Sequence, residues 1–197
     1  MTAPSSITLA ILDLGYGNTD SIRLAFARLG VEAALTTDAE TPDRLVIPGV
    51  GAAGYAMQKL RDASLVDPLK RRTKPTLGIC LGMQLMFDST DEGDTPGLGL
   101  LPGQVRQMTP APGSPIPHMG WSKLSDVATG IGLENNDFVY FAHSFACDDT
   151  PATAARAAYD ARSVTAVIRK GPLWGAQFHP ERSSTPGANF LKAFLEA

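Results

Sequence analysis

The chain has 197 residues, 44% of them hydrophobic and 19% charged, which fits one compact globular domain over residues 1–197. Its net charge is −3 and its longest basic run is Lys70-Arg71-Arg72, so we expect no nucleic-acid partner. No apolar stretch approaches the ~18 residues that a membrane helix needs, so we expect no membrane association. Residues 1–6 form a short polar tail without the features of a secretory signal, which favours a cytoplasmic location.

The first third of the chain alternates strand and helix signals, which is typical of a mainly parallel sheet with helices on its faces. Asn18 or Thr19 is positioned to cap the first helix, and Gly30 to end it. The Gly-, Pro- and acid-rich residues 88–103 predict a loop. The strands and helices predicted in this part cover, in chain order, residues 7–12, 19–29, 44–47, 55–72, 75–79 and 83–87.

Beyond residue 103, short strand-like runs alternate with turn signals, which predicts an antiparallel extension of the sheet or a second, smaller sheet. A closing amphipathic helix begins at Pro186, so the predicted fold class is α/β. Cys147 lies beside two aspartates in a predicted loop, and we assign it no role. The sequence contains no metal-ligand cluster and no dinucleotide-binding glycine motif, so we expect neither a metal nor a cofactor. The strand-like runs cover residues 104–108, 138–142, 154–159, 164–169 and 173–178.

A cysteine lies where a predicted strand turns sharply into a helix, in the pentapeptide Gly78-Ile79-Cys80-Leu81-Gly82. This is the arrangement of a nucleophile elbow, with sulfur in place of the serine oxygen. The flanking glycines fit, because a side chain at either position would crowd so tight a turn. The free N–H groups and the positive end of the following helix favour the thiolate, which is the reactive form of cysteine. Cys80 is therefore the candidate nucleophile, and a buried core cysteine is the alternative.

A candidate base and its orienting partner end a second apolar run, in the segment Gln177-Phe178-His179-Pro180-Glu181. Residues two apart in an extended chain face the same way, so His179 and Glu181 are expected on one side. A cysteine nucleophile needs a base within hydrogen-bond reach, and the base needs a group that orients it. With Cys80, these residues supply all three roles. His118, in a predicted turn-rich loop, and His143, at a predicted strand end, compete with His179 as base, but neither has a carboxylate two residues later.

The segments around Cys80 and His179 resemble the two signatures of the class I, triad-type glutamine amidotransferases. Other segments are similar to those of the glutaminase subunits of imidazole glycerol phosphate synthases, which act in histidine biosynthesis. The resemblance covers residues 7–195 and implies a flavodoxin-like fold, L-glutamine as substrate, and a heterodimer with a cyclase subunit of (β/α)8 barrel type. The further segments are Asp13-Leu14-Gly15-Tyr16-Gly17-Asn18, Ile47-Pro48-Gly49-Val50-Gly51, Pro117-His118-Met119-Gly120-Trp121 and Tyr140-Phe141-Ala142-His143-Ser144-Phe145.

The resemblance also implies which groups would handle the substrate. The elbow arrangement itself makes the backbone N–H of Leu81 one donor to an oxyanion. The second donor would be the backbone N–H of Val50 or Gly51, where glycines allow unusual backbone angles, and a simple turn after the strand is the alternative. For Glu92, an ordinary structural role competes with a contact to the α-amino group of glutamine. The residues with an implied contact to glutamine are Gly49, Gln84, Glu92, Ser144 and Phe145.

A contact with the cyclase is implied for a further set of residues. Core packing is the alternative for Met119 and Trp121, although tryptophan is also enriched at interface hot spots. Ser122 and Arg182 depart from the family pattern, in which asparagine and lysine are usual. Two other functions stay open: the glutaminase subunit of anthranilate or aminodeoxychorismate synthase, and a catalytically silent subunit that senses glutamine. The implied interface residues are Asn18, His118, Met119, Trp121 and Arg182.

Overall fold

The computed structural model describes residues 7–159 and 162–197, so the predicted polar tail at residues 1–6 lies outside the described residues. The helices are α1 (Thr19–Arg28), α2 (Ala53–Asp62), α3 (Val66–Arg71), α4 (Leu81–Gln84) and α5 (Ser184–Leu195), with 3-10 helices at Glu92–Asp94 and Pro180–Arg182. None of the helices in these two stretches is long and apolar enough to cross a membrane. The strands are β1 (Leu9–Leu12), β2 (Ala33–Thr36), β3 (Arg44–Ile47), β4 (Thr76–Ile79), β5 (Phe87–Thr90), β6 (Thr95–Pro96), β7 (Leu101–Gln107), β8 (His118–Ser125), β9 (Phe138–His143), β10 (Phe145–Cys147), β11 (Thr153–Tyr159), β12 (Arg162–Lys170) and β13 (Leu173–Ala176).

The larger of two sheets has the strand order β2-β1-β3-β4-β13-β12-β11-β8-β9. Neighbouring strands run parallel from β2 to β13 and antiparallel from β13 to β9. The smaller sheet has the order β10-β7-β5-β6. The predicted α/β fold is confirmed, and both predicted uses of the later strands occur, since β7 joins the smaller sheet while β9, β11 and β12 extend the larger one.

Helices cover both faces of the parallel strands, and β1 shows how the sequence determines this. Successive side chains of a strand point to opposite faces. Leu9 and Ile11 accordingly pack into a core that contains Phe26 of α1, whereas Ala10 and Leu12 pack into a second core beneath α2. All four side chains are buried, because a parallel strand with helices on both faces has no solvated side.

The predicted cap of the first helix is Asn18, whose side-chain oxygen accepts a hydrogen bond from the N–H of Ser21 at 3.3 Å. Gly30 follows the helix with a φ of 79°, a backbone conformation that favours glycine. The cap therefore fixes where the loop after β1 ends, and Asn18 stands at that point.

Local structure differs from the pattern of the sequence in four segments. The helical residues expected over 55–72 form two helices, α2 and α3, with a break around Ser64, which has a φ of 57°. Residues 88–103 hold β5, β6 and a 3-10 helix instead of a continuous loop. The segment His118–Ser125 is a strand, because its side chains alternate between a buried and an exposed face. Cys147 ends β10 and is buried, so it does not lie in an exposed loop.

Candidate active site

Cys80 occupies the turn between β4 and α4, at the carboxyl end of the parallel strands. Its backbone angles are φ 52° and ψ −110°, which residues other than glycine rarely adopt. The turn is held on both sides. The N–H of Cys80 donates to the carbonyl of Ala176 at 2.7 Å, and its carbonyl accepts from the N–H groups of Met83 and Gln84. A strained residue between a strand and a helix is what a nucleophile elbow requires.

The glycines around the elbow allow three backbone segments to touch. A Cβ atom added to Gly78 would lie 2.5 Å from the carbonyl oxygen of Gly82. One added to Gly82 would lie 2.0 Å from the carbonyl oxygen of Ile47, and one added to Gly49 would lie 2.2 Å from the nitrogen of Gly82. The predicted crowding is confirmed, and the loop after β3 packs directly on the elbow.

The helix after Cys80 is shorter than predicted, because α4 is a single turn. The carbonyl of Leu85 accepts a hydrogen bond from the N–H of Leu98 at 2.7 Å, and the chain then turns into β5. A helix this short has a small macrodipole. The free N–H groups at its start, that of Leu81 first, are therefore what the elbow offers to a negative charge.

His179 reaches the elbow from the segment that follows β13. Its N–H donates to the carbonyl of Tyr140 at 2.9 Å, and its carbonyl accepts from the hydroxyl of Ser183 at 2.7 Å. Its ring Nδ1 donates to Oε1 of Glu181 at 2.8 Å. The extended link predicted between these two residues is wrong, since Pro180 begins a 3-10 helix, and that turn brings the side chains together.

The charge state of His179 follows from its neighbours. Burial lowers the pKa of His179, but its hydrogen bonds with Cys80 and Glu181 and the charges of both raise it, and the net pKa is about 10. The imidazole is therefore protonated at neutral pH. A protonated imidazole beside a sulfur favours the thiolate. Cys80, His179 and Glu181 thus form a row in which a sulfur faces a protonated imidazole, and such a row can perform nucleophilic and acid–base chemistry.

The other two histidines are neutral members of a buried hydrogen-bond chain. The Phe145 carbonyl can only accept, so Nδ1 of His143 donates to it at 2.8 Å, and Nε2 of His143 accepts from Nδ1 of His118 at 2.9 Å. Nε2 of His118 then accepts from the hydroxyl of Ser122 at 2.9 Å. Burial lowers the pKa of each imidazole to about 4. Both nitrogens of each ring are already engaged, which leaves the role of base to His179.

A cavity of about 360 Å³ opens beside Cys80. His179 and Glu181 line it too, so the structure brings the predicted triad together at one site. Gly49, His118 and Trp121 do not line this cavity. No group of three or more metal-binding side chains occurs in the part of the chain that the structure describes. The other predicted site residues that line the cavity are Asn18, Val50, Gly51, Leu81, Gln84, Glu92, Met119, Ser144, Phe145 and Arg182.

Gly49 and Glu92, for which the resemblance implies a substrate contact, each stabilise the fold around the site. Gly49 is buried behind the elbow, where its missing side chain permits the close contact with Gly82. Oε2 of Glu92 accepts the N–H of Ala53 at 2.7 Å, so this carboxylate caps the start of α2. The structural alternative weighed for Glu92 is therefore supported, although the residue also lies at the cavity wall.

The strands β8 and β9 present an exposed aromatic face next to the cavity. Met119 is 64% exposed and Trp121 50% exposed, so the predicted alternative of core packing is wrong for both. Trp121 pairs with Tyr140 across the strands, and the guanidinium of Arg182 lies 4.5 Å from the centre of the Tyr140 ring. His118, at 1% exposure, points to the opposite face, so its ring is not part of this surface.

The family model for glutamine amidotransferase class-I matches residues 10–197. The chain belongs to this family. The imidazole glycerol phosphate synthase subunit HisH of Xanthomonas campestris pv. campestris (strain 8004) is 47% identical over 194 residues, which are 95% of this chain and 96% of that protein. The protein of the same name from Xylella fastidiosa (strain Temecula1) is 47% identical over 195 residues, with the same two coverages. The resemblance predicted from the motifs is confirmed.

Solved structures of glutamine amidotransferase type have the same fold as this chain. A glutamine amidotransferase crystal structure superposes with a TM-score of 0.74 at 20% identity, covering 95% of this chain and 97% of the other. A putative GMP synthase component from Thermoplasma acidophilum superposes with a TM-score of 0.71 at 21% identity, covering 96% and 93%. At these identities the likeness concerns the fold, which agrees with the predicted amidotransferase-like fold class.

Two residues of this amidotransferase site were missed by the sequence analysis. Ser183 holds the His179 segment, since its hydroxyl also accepts from the N–H of Tyr140 at 2.9 Å. Gln177 lies beside Cys80, with its Nε2 atom 3.8 Å from the sulfur. Gln177 carried a signal that we did not use, because it is an uncharged polar residue at the end of an otherwise apolar strand.

Proposed function

We propose that this chain hydrolyses L-glutamine to glutamate and ammonia, and supplies the ammonia to a cyclase as the glutaminase subunit of an imidazole glycerol phosphate synthase. The observation that carries the proposal is the row of Cys80, His179 and Glu181 at the wall of one cavity in a class-I amidotransferase chain. The names of the relatives support the choice of synthase over the anthranilate and aminodeoxychorismate enzymes.

The first half of the reaction cleaves the amide. The Cys80 thiolate attacks the side-chain amide carbon, and the electrons of the C=O double bond move to oxygen to give a tetrahedral oxyanion. Protonated His179 donates its proton to the nitrogen, the C–N bond breaks, and ammonia leaves a glutamyl thioester on Cys80. Glu181 keeps the proton of the imidazole on Nδ1, so that Nε2 faces the reacting atoms. Such acid–base catalysis contributes about 10² to 10⁴ in rate.

The second half of the reaction releases glutamate. Neutral His179 takes a proton from water while the water oxygen attacks the thioester carbon. The new tetrahedral oxyanion collapses, the C–S bond breaks, and the Cys80 thiolate leaves with His179 protonated again. Glutamate departs, and the thiolate–imidazolium pair of the resting site is restored.

Backbone N–H groups would hold the oxyanion of both steps. The N–H of Leu81 is the first of α4, and the first N–H groups of a helix have no acceptor within it. Val50 and Gly51 line the same cavity, and Gly51 has a φ of 94°, which favours glycine. One donor of this kind is worth about 10² to 10³ in turnover.

The amino-acid end of glutamine would bind between Gln84 and the residues before β10. Nε2 of Gln84 donates to the carbonyl of Phe145 at 2.9 Å and to Oε1 of Gln177 at 3.0 Å. Both hydrogens of this amide are used, so Gln84 presents an oxygen, which suits an α-ammonium group. Backbone groups of Ser144 and Phe145 at the cavity wall are our candidates for the α-carboxylate.

The cyclase, a subunit of (β/α)8 barrel type, would dock on the exposed face of β8 and β9. Exposed aromatic and methionine side chains next to a cavity mouth are typical of a protein interface. Met119 belongs to both the face and the cavity. Arg182, which lies over the Tyr140 ring of β9, and Asn18 line the cavity with it. Ammonia released at Cys80 would pass to the partner, which forms imidazole glycerol phosphate and an aminoimidazole carboxamide ribotide.

We also propose one amidotransferase domain over the whole chain, and the cytoplasm as its compartment. A thiolate nucleophile suits a reducing compartment, and Cys80 and Cys147 are both unpaired.

Replacing Cys80 with alanine tests the proposal. The complex of C80A with the cyclase should make product from ammonium salts and none from glutamine. An electrophilic glutamine analogue should label Cys80 of the wild-type chain and spare Cys147. Retained glutamine hydrolysis in C80A, or labelling of Cys147, would overturn the assignment of the nucleophile. A complex that assembles but has lost ammonia-dependent synthesis would show that this chain takes part in the acceptor chemistry.

Glutamine hydrolysis by the isolated chain should be slow and should rise by orders of magnitude with the nucleotide-loaded cyclase. Ammonia that is released when no acceptor is bound is lost, so we expect the glutaminase site to be coupled to the acceptor site of the cyclase. A rotation of the peptide at Val50 that creates one oxyanion donor would supply about 2.7–4 kcal/mol. Steady-state assays with and without cyclase and nucleotide measure this, and an equal turnover number in all conditions would refute the coupling.

A further inference from the structure

The side chain of Gln177 connects the proposed nucleophile with a proposed substrate-binding residue. Its Nε2 atom lies 3.8 Å from the sulfur of Cys80, and its Oε1 atom lies 3.0 Å from Nε2 of Gln84. Oε1 also lies 4.0 Å from the sulfur of Cys147. Gln177 is 0% exposed, and its backbone N–H donates to the carbonyl of Ala166 at 2.9 Å. The amide is therefore held between Gln84 and Cys80.

The direction of each hydrogen bond follows from one acceptor, the carbonyl of Phe145. A carbonyl cannot donate, so the Gln84 atom that faces it at 2.9 Å is the amide nitrogen. The second hydrogen of that nitrogen needs an acceptor, which makes the near atom of Gln177 its oxygen. The other atom of the Gln177 amide must then be the nitrogen, so an N–H donor faces the sulfur of Cys80. Reversing this amide would place two donors against each other.

We propose that Gln177 is a positioning residue for glutamine hydrolysis. It donates an N–H to the Cys80 thiolate, and it keeps the Gln84 amide turned with its oxygen toward the substrate. This inference rests on the proposed function of Cys80. Hydrogen bonds to a charged group are stronger than those between neutral groups, so the N–H of Gln177 favours the thiolate over the thiol.

The other groups around the Cys80 sulfur do not stabilise the thiolate by a lasting hydrogen bond, as Gln177 does. The carbonyl of Ala142, 3.9 Å away, can only accept a hydrogen bond and so favours the thiol. Burial raises the pKa of Cys147 well above its usual range, so its thiol stays neutral. Protonated His179 faces the sulfur as a cation, with Glu181 behind it, and it gives up its proton during the reaction.

The other titratable groups around the cavity do not replace Gln177 as a hydrogen-bond donor to the Cys80 sulfur. His143 is neutral because burial lowers its pKa to about 4. Glu92 and Arg182 line the cavity, where Glu92 is bound to the start of α2 and Arg182 lies over the Tyr140 ring. Gln177 is thus a donor whose hydrogen stays with it throughout the cycle.

A purely structural role does not account for the amide. The chain neighbours Ala176 and Phe178 are buried and apolar. A methionine has about the same length and would fill the space without the cost of burying an amide. The amide is retained at a position where one of its partners is the nucleophile and another is a substrate-binding residue.

The test compares the wild-type full-length chain with Q177M and with the matched control C147A, which removes the sulfur at the opposite, oxygen end of the same amide. Alkylation of Cys80 by iodoacetamide is followed against pH by mass spectrometry. In Q177M the pH midpoint should rise by about one unit, the value of one hydrogen bond to a charged group. With the cyclase present, kcat should fall about 10-fold and the KM for glutamine should rise about 2- to 10-fold. C147A should match the wild type in all three quantities.

A second measurement needs no variant at Gln177. In wild-type chain labelled with 15N-glutamine, the side-chain N–H resonance of Gln177 should shift with the alkylation midpoint, and this shift should vanish in C80S. An unchanged midpoint in Q177M, or a resonance that ignores Cys80, would overturn the proposal. Both readouts follow Cys80 itself rather than glutamine hydrolysis. Failure of the proposed function is read separately, from glutaminase activity that survives in C80A.

Discussion

Replacing Gly82 with alanine tests whether close backbone contact builds the elbow. The added Cβ would lie 2.0 Å from the carbonyl oxygen of Ile47, whereas ordinary contacts begin at 3.4 Å. β3 and the elbow would have to separate by about 1.4 Å. Overpacking of this kind costs about 3 kcal/mol. The higher helix propensity of alanine over glycine stabilises the fold by about 1 kcal/mol, so the free energy of unfolding of G82A should be about 2 kcal/mol lower than that of the wild type.

Gly54 supplies the matched control, because it also lies in a helix and its added Cβ would meet only the hydroxyl of Thr95 at 3.4 Å. G54A should therefore gain about 0.5–1 kcal/mol from helix propensity alone. The same substitution should thus change stability in opposite directions at two helical glycines. Urea unfolding of the full chain, followed by circular dichroism, measures both values.

Activity adds a second readout for Gly82. A displacement of about 1 Å at a reacting group can reduce turnover about 10²-fold, so G82A should lose at least that factor in glutamine hydrolysis with the cyclase. G54A should keep the wild-type rate. A G82A chain that unfolds at the same urea concentration as G54A would refute the contact, since the Cβ would then have met no obstacle.

Three further changes probe the charges, the partner face and the cap. Wild-type stability should fall as pH rises from 6.5 towards 10, because the pKa of His179 is higher in the folded chain than in the unfolded chain. E181Q removes a carboxylate that raises this pKa, so the fall should be smaller in E181Q when denaturation is measured at several pH values. W121A should weaken cyclase binding by about 2 kcal/mol in calorimetry while leaving the melting temperature unchanged. The control is L35A, an exposed apolar residue of β2 at the opposite edge of the larger sheet, which should leave binding unchanged. N18A should lower stability by about 1 kcal/mol through loss of the α1 cap, and an unchanged urea midpoint would contradict that role.

The chemistry of the site was predictable because its groups lie in short, ordered segments. The elbow around Cys80 and the pair His179 and Glu181 can each be recognised from a short stretch of sequence. Their meeting also follows from the topology, since β4 and β13 are parallel neighbours and both segments leave the same edge of the sheet. The sequence does not indicate that β13, far along the chain, inserts beside β4, because strand pairing over such a separation leaves no local pattern.

The errors share a cause, which is that tertiary contacts overrode local signals. The prolines and glycine near His118 predicted a loop, but burial of alternate side chains made β8 a strand. The apolar run after Cys80 predicted a helix over residues 83–87, but hydrogen bonds from the loop before β7 ended α4 after one turn, at Gln84. Gln177 was invisible as a site residue, because its partners at Cys80 and Gln84 come from a distant part of the chain.

The three histidines together determine how the folded chain responds to acidity. Two have a pKa of about 4 and the third a pKa of about 10, whereas an imidazole in water titrates near 6.5. Folding thus moves every imidazole of the chain out of the physiological window. Between about pH 5 and 9 the imidazoles should neither buffer nor change the net charge, so a small drift in cellular pH leaves the charge that the chain presents to a partner almost constant. Unfolding would restore that buffering, and a potentiometric titration of native against denatured chain would record the difference directly.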